Sequence, residues 1–372
     1  MNARRKKILF LLKHRDYPYA CDPPCYTYSS GVLSSGLYNS ARLVQEMLRD
    51  QLGYETHIAQ ARDNNEIDRF VTKYRPDVCV IEAYWVVPEK FTVLHRRHPN
   101  VLWVVRNHSS MPFLALEGVV LDWSLRYMDH PNIILACNDA RTDAEFRRLI
   151  ALYKNWDKKK IDSRCVLLPN YYPPVLHHRR RRRCWRERGI IDISCFGAIR
   201  PLKNQLIQAV AAIEFAERNG VYLVFHINGT RIEQGADPVL RNLRALFKLT
   251  RHKLIEHPWM RYDQFVQLAG EMDLGLQVSF TETFSIVAAD LVTRDVPVVV
   301  SSEINWVYPR YYAHPTDSNE IVEKMERAAR SPHLAVKRNL RGLARFVEHS
   351  RSRWARFLGF GATLSANSRA GR

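Results

Sequence analysis

Two features predict an α/β fold built on two doubly wound parallel sheets. Short apolar runs of strand length alternate with longer runs of helical periodicity along most of the 372 residues. The alternation breaks once, at Pro173, Pro174 and the run HHRRRRRCWRERG over 177–189, and then resumes. With 46% apolar residues, the chain has material for two ordinary cores.

The first half sets the pattern. Ile8–Leu12 reads as a strand, followed over 13–35 by a long loop rich in Pro, Gly, Ser and Asp. Gly36–Gln51 reads as a helix, because Leu37, Ala41, Val44, Met47 and Leu48 recur at helical spacing. Strands are expected at Glu55–Ala59, Asp77–Ala83, Val101–Arg106, Asn132–Ala136 and Cys165–Leu168. Helices are expected at Asn65–Tyr74, Pro88–Arg97 and Thr142–Leu152. In the second half, strands fall at Ile190–Gly197, Tyr222–Ile227, Lys253–Glu256, Met272–Ser279 and Val296–Val300. Helices fall at Gln205–Arg218, Val239–Leu249, Tyr262–Glu271 and Ile286–Val292. The division expected is a first domain at 1–172, a basic linker at 173–188, a second domain at 189–335, a last helix at 336–358 and a loose tail at 359–372.

Composition narrows the classes. No apolar run reaches the roughly 18–20 residues needed to span a bilayer. The apolar ILFLL near the N-terminus is too short for a secretory signal, so it reads as the first strand. Seven cysteines, an odd number and mostly in apolar runs, fit a reducing cytoplasm. Cys21 and Cys25 flank Asp-Pro-Pro, but no second Cys/His pair matches their spacing, so no metal site is expected. The formal net charge is +18. An excess of that size implies attraction to a polyanion, either nucleic acid or an anionic membrane surface.

The most informative segment is MDLGLQVSFTETFSIVAADLVTRDVPVVVSS at 272–302. An apolar strand runs into the polar turn Thr281–Ser285, then a buried helix, then a strand opened by Pro297. Glu282 stands at the mouth of the turn and Asp290 about two helical turns on. Acids at the carboxyl end of a parallel sheet suit sugar or ribose hydroxyls, since a carboxylate accepts two donated hydrogen bonds.

A second constellation lies at Phe196–Asn204. Gly197 permits a tight turn where a strand ends. Arg200 and Lys203 stand three apart just before the Gln205 helix, where their charges and the positive helix end can converge on a diphosphate.

Together these segments resemble the signature of GT-B glycosyltransferases of the large retaining class. The resemblance covers most of residues 1–335 and is specific from 190 to 302. It rests on Ser279, Glu282, Thr283, Phe284, Asp290 and Pro297-Val298-Val299, with Asp290 standing where the family usually has Glu. Gly197, Arg200 and Lys203 resemble the family's Gly-Arg…Lys donor motif, with Ala198 and Ile199 between Gly and Arg. The resemblance implies a GT-B fold, two Rossmann-like domains facing across a cleft. It implies a retaining, metal-independent enzyme with no bound cofactor, whose donor is a nucleotide sugar, UDP- or GDP-linked. Arg200 and Lys203 would stabilise the leaving diphosphate, beside Glu282.

Further residues follow from the resemblance. Asn228-Gly229-Thr230 would flank the donor, with Thr283, Phe284, Ser285 and Asp290 on the facing turn, and Glu256–Met260 would flank the nucleobase. In the first domain Gly36 would let backbone approach the donor, and His108 would contact the transferred sugar or else be a core histidine. Glu82 would hold the acceptor, act as a base, or simply partner Arg106. Ser109 and Glu117 would line the acceptor wall, with Asp16 a further acceptor candidate. The first domain is similar to glycosyltransferases often encoded by bacteriophages. With the charge, this points to a 5-hydroxymethylpyrimidine in DNA as acceptor, reached by base flipping. The basic run Arg179, Arg180, Arg181, Arg182 and Arg183 would meet phosphates. Two other readings remain. One is a peripheral membrane glycosyltransferase acting on lipid or lipopolysaccharide. The other is a non-enzymatic nucleic-acid-binding protein on a degenerate scaffold.

Overall fold

The computed structural model describes residues 5–14, 36–177 and 184–370, with side chains described through Gly359. The described chain forms two units. One takes residues up to Tyr172 together with those from Val347 onward, and the other takes Pro173–Phe346.

In the first unit the order is β1 (Lys7–Lys13), α1 (Gly36–Asp50), β2 (Glu55–Ala61), α2 (Glu66–Tyr74), β3 (Val78–Glu82), α3 (Pro88–Arg97) and β4 (Leu102–Asn107). A 3-10 turn at Met111–Leu116 precedes α4 (Val120–Tyr127), β5 (Ile133–Cys137), α5 (Ala140–Lys154), α6 (Lys158–Arg164) and β6 (Cys165–Leu167). The six strands pair in the order β2-β1-β3-β4-β5-β6, every neighbour parallel. The central strands are apolar without alternation, because helices cover both faces; Ile8, Leu9, Phe10 and Leu11 are all fully buried. The register sets Glu82 opposite Arg106 and Asn107 opposite Cys137, so the polar residues collect at the carboxyl ends.

The second unit holds α7 (Trp185–Arg188), β7 (Ile190–Ser194), α8 (Gln205–Arg218), β8 (Tyr222–Ile227), α9 (Asp237–Lys248), β9 (Lys253–Glu256) and α10 (Tyr262–Ala269). It continues with β10 (Leu274–Gln277), α11 (Ile286–Thr293), β11 (Val298–Val300) and α12 (Ser318–Arg330). Its five strands run parallel in the order β11-β10-β7-β8-β9. The last helix, α13, spans Pro332–Ala370. From Val347 onward it packs with the first unit, where the Trp354 indole and the Ser350 hydroxyl donate to the Pro169 carbonyl at 3.0 and 3.1 Å.

Several elements depart from the sequence expectations. The segment 359–372, expected as a loose tail, continues as helix through Ala370. Propagation onto a formed helix costs far less than nucleation, so the two glycines at 359 and 361 do not stop it. α4, α6 and α12 have no counterpart among the expected elements. α6 is a charge run, and what starts it is the Asp157 side chain accepting from the Lys160 N–H at 2.7 Å. The strand expected over Met272–Ser279 is shorter, Leu274–Gln277, because Val278 leaves the ladder to donate to a side chain, Gln208 Oε1 at 2.8 Å. Among the described residues no helix is long and apolar enough to cross a membrane.

Candidate functional site

The polar residues of the second unit gather where its strands end. After β7 the chain turns at Gly197, whose φ of +119° excludes ordinary side chains, and its N–H donates to Asn228 Oδ1 at 2.8 Å. A 3-10 turn over Pro201–Lys203 follows, then Asn204 in the left-handed region, and α8 begins.

This loop is held to the turn after β10 by buried amides. Asn204 Nδ2 donates to the Val278 carbonyl at 3.0 Å. Gln208 Nε2 donates to the carbonyls of Lys203 and Asn204 at 2.8 and 3.0 Å, while its oxygen takes the Val278 N–H. Gln277 Nε2 donates to the Phe196 carbonyl at 2.9 Å. The result is direct contact between two expected site residues: the Lys203 ammonium bonds and ion-pairs with the Glu282 carboxylate. Both side chains keep 17% of their surface exposed, enough for a ligand to reach.

Arg200 leaves the same 3-10 turn in another direction. Its Nε donates to Glu233 Oε2 at 2.7 Å, and Arg231 Nε donates to Glu233 Oε1 at 2.5 Å. Burial alone would raise the Glu233 carboxyl; the two guanidiniums outweigh it and hold the group below the usual carboxylate range.

The facing turn is more structural than expected. Thr283 donates its N–H to Glu282 Oε1 at 3.2 Å. The Phe284 ring is buried against Trp306 and Phe346, and its carbonyl takes the Trp306 indole N–H at 2.7 Å. Ser285 caps α11, its hydroxyl facing the Ala288 N–H. Asp290, expected to face a crevice, is instead 1% exposed and accepts from the Tyr262 hydroxyl at 2.7 Å. Its shorter side chain stays within the packed interior. Gly229 has a packing reason: a Cβ there would meet Glu256 Cβ at 2.7 Å.

In the first unit, Glu82, Arg106 and His108 come together. Arg106 is fully buried and donates through Nη1 to both Glu82 oxygens at 3.1 Å, through Nε to the Leu168 carbonyl at 2.9 Å, and through Nη2 to Asn170 Oδ1 at 2.5 Å. Glu82, considered as an acceptor ligand or base, is fully buried with no exposed oxygen; it partners Arg106 and His108. Burial would raise its carboxyl, but the Arg106 and His108 interactions bring it below the ordinary value. Burial pushes the His108 imidazole down against the opposing pull of Glu82. His108 keeps 15% side-chain exposure, so of this cluster it is the group a ligand can touch. The Ser109 hydroxyl donates to Glu117 Oε2 at 2.7 Å, so these two acceptor candidates do meet. Gly36 opens α1. Asp16, Cys21, Cys25 and Arg179–Arg183 lie outside the described residues.

Sequence reasoning missed Asn204, Gln208, Gln277, Arg231 and Glu233. Gln208 left a trace, as an amide among the buried Ala209, Ala211, Ala212 and Phe215 of α8.

No family model matches the chain, and no curated protein matches it. Solved structures do. The chain is similar to the N-terminal domain of Candida albicans trehalose-6-phosphate phosphatase, with a TM-score of 0.67, 10% identity and 98% of each chain covered. It is similar to the sucrose-phosphate synthase of Thermosynechococcus elongatus, with a TM-score of 0.63, 13% identity, and 99% of this chain and 100% of that one covered. It is also similar to Anabaena HepE, solved in complex with UDP-glucose, with a TM-score of 0.59, 14% identity, and the same coverage. At such identities the likeness is one of fold, and the fold is α/β of the GT-B kind, with two parallel-sheet units.

Proposed function

We propose that the chain is a glycosyltransferase that moves a sugar from a nucleotide-sugar donor to an acceptor hydroxyl. The observation that carries this is the Lys203–Glu282 pair, with Arg200 capping the start of the 3-10 turn that ends at Lys203, where the strands of a parallel sheet end. Ligands of open α/β sheets bind outside those carboxyl ends. Two cations next to the first turn of a 14-residue helix suit a diphosphate, and a carboxylate facing them suits sugar hydroxyls.

The chemistry asked of these residues is modest. The bond from the anomeric carbon to the diphosphate oxygen breaks, with the electron pair leaving on the diphosphate. The acceptor oxygen bonds the carbon, and its proton passes to the departing diphosphate. Arg200 and Lys203 stabilise the charge that develops, the usual largest contribution in such sites. Solved neighbours include one with UDP-glucose and one with UDP-2-fluoro glucose, which favours a UDP-sugar over a GDP-sugar. Another neighbour was studied for glycosyltransfer with retention, which favours a retaining course.

For the acceptor, the charge of +18 favours a polyanion, and we take a 5-hydroxymethylpyrimidine in DNA, in a cytoplasm holding phage DNA. The test is to incubate the protein with a panel of nucleotide sugars and hydroxymethylated DNA, digest, and weigh the nucleosides. A hexose-sized mass gain on the modified pyrimidine is expected. Release of nucleoside diphosphate with unmodified DNA would reject this acceptor while keeping the transferase.

A further inference from the structure

We infer that Arg231 is a second guanidinium of the diphosphate site, and that Glu233 occupies the clamp between Arg231 and Arg200 until a phosphate group displaces it. This rests on the donor reading above and adds to it a residue and an internal competitor.

Four observations carry it. First, the loop after β8 is tied to the loop after β7 beyond the ends of both strands. Ile199 and Ile232 form a parallel bridge, with the Ile199 N–H on the Arg231 carbonyl at 2.8 Å and the Glu233 N–H on the Ile199 carbonyl at 3.0 Å. Arg231 is thereby fixed alongside the turn that carries Arg200 and Lys203.

Second, the Glu233 carboxylate divides itself between the guanidiniums, Oε2 to Arg200 and Oε1 to Arg231. An anion bridging two guanidiniums through separate oxygens has the arrangement of a phosphate in an arginine clamp.

Third, Arg231 is held in place before any ligand arrives. Its guanidinium lies 4.3 Å from the Trp259 ring centroid, and the backbone N–H of Trp259 donates to the Thr230 hydroxyl at 2.9 Å. Little side-chain entropy is left to lose on binding.

Fourth, the local charges are unequal. Among the described residues the three cations Arg200, Lys203 and Arg231 are set against the two carboxylates of Glu233 and Glu282, and all five side chains are partly exposed, between 12% and 26%. A diphosphate carries more negative charge than a carboxylate, so it outcompetes Glu233 for the two arginines. Unliganded, the carboxylate keeps like charges from facing each other unscreened.

The test is calorimetric titration of the full chain with UDP, GDP and inorganic pyrophosphate. Glu233→Gln removes the competitor and should tighten the diphosphates by about tenfold; Arg231→Gln removes one charge-assisted pair and should weaken them by about tenfold. Glu214→Gln, which takes the same charge from the C-terminal half of α8 where Glu214 pairs with Arg218, should change them by less than about twofold. Should Arg231→Gln fail to fold, Glu233→Gln carries the test alone. Unchanged or weaker binding by Glu233→Gln, or wild-type binding by a folded Arg231→Gln, overturns the inference. A Glu214→Gln effect as large as that of Glu233→Gln overturns it too, reducing the result to general charge. Binding of pyrophosphate with these shifts, but not of UDP or GDP, keeps the clamp and rejects the nucleotide-sugar reading. If wild type binds none of the three, both fall.

Discussion

Lys203 and Glu282 stand 79 positions apart and form an ion pair at the end of the second parallel sheet. Neither a helix nor a hairpin brings them together. Lys203 ends a turn after β7 and Glu282 lies in the turn after β10, strands that are neighbours in the sheet. The pair therefore exists only once that sheet has formed. Replacing Lys203 or Arg200 by Ala should lower sugar transfer by about 10² or more, if each cation stabilises the departing diphosphate. Steady-state kinetics with saturating donor check this; a change confined to KM would place the cations in ground-state binding instead.

The amide of Gln208 predicts a separate outcome. It serves three backbone groups, the carbonyls of Lys203 and Asn204 and the N–H of Val278. Gln208→Leu keeps most of the volume but strands those groups in a buried place. The cost should be about 1–3 kcal/mol, the usual penalty for orphaned buried polar groups. Urea unfolding measures it. Because Gln208 touches both site turns, transfer activity should fall beyond what the lost stability explains.

That difference also marks what was legible in the sequence. Strands such as Ile8–Leu12 and Tyr222–Ile227 could be read because apolar runs between turn residues have one physical solution. Arg200, Lys203 and Glu282 could be singled out because two cations just before a helix and an acid in the turn after a strand follow a spacing that a known signature shares. Gln208 and Asn204 could not, since their work is to bond backbone from distant segments, which leaves no periodicity. Asp290 shows the converse. Its spacing from Glu282 suggested a shared crevice, yet the helix turns it onto Tyr262. Glu82 was open between acceptor ligand, base and partner of Arg106, and only the fold reveals that it is fully buried and paired with Arg106.

The buried Glu82–Arg106 pair should be costly to break and cheap to replace. Arg106→Met leaves the fully buried Glu82 carboxylate with only the His108 imidazole beside it, and a loss of about 3–5 kcal/mol is expected. The double variant Glu82→Leu/Arg106→Met should recover a large part of it, because neither charge then needs a partner. Denaturant midpoints of the single and double variants form the cycle. A double variant as unstable as the single would show that the Leu168 and Asn170 bonds to Arg106, rather than the ion pair, hold this region.

His257 predicts the sense of the pH dependence. Burial, with the neighbouring His226 ring, pushes its imidazole down to about 4. An unfolded imidazole titrates near about 6.5. As the pH falls below that value, the unfolded chain takes the proton first, so this contribution to stability is whole above about 6.5 and is lost on the way to about 4. His226, linked to His257 at 2.8 Å and to Asp192 at 3.2 Å, is part of the same chain of hydrogen bonds. In His257→Asn the decline of the unfolding midpoint between pH 7 and pH 4.5 should be shallower than in wild type. Equal slopes would mean that other groups carry it.

The acceptor reading makes its own demand on the basic run Arg179–Arg183. Five consecutive arginines repel one another and gain little from each other, so an anionic partner is the natural use for them. If that partner is duplex DNA, replacing all five by Ser should weaken binding and flatten its salt dependence, by about 0.9 in slope for each phosphate no longer neutralised. Binding of UDP or GDP should stay within about twofold, because Arg200, Lys203 and Glu282 are untouched. Fluorescence anisotropy with a labelled duplex at several salt concentrations gives the slope. A wild-type protein that ignores duplex DNA at low salt yet sediments with anionic vesicles would transfer the role to a membrane surface, and the acceptor would then be sought among lipids.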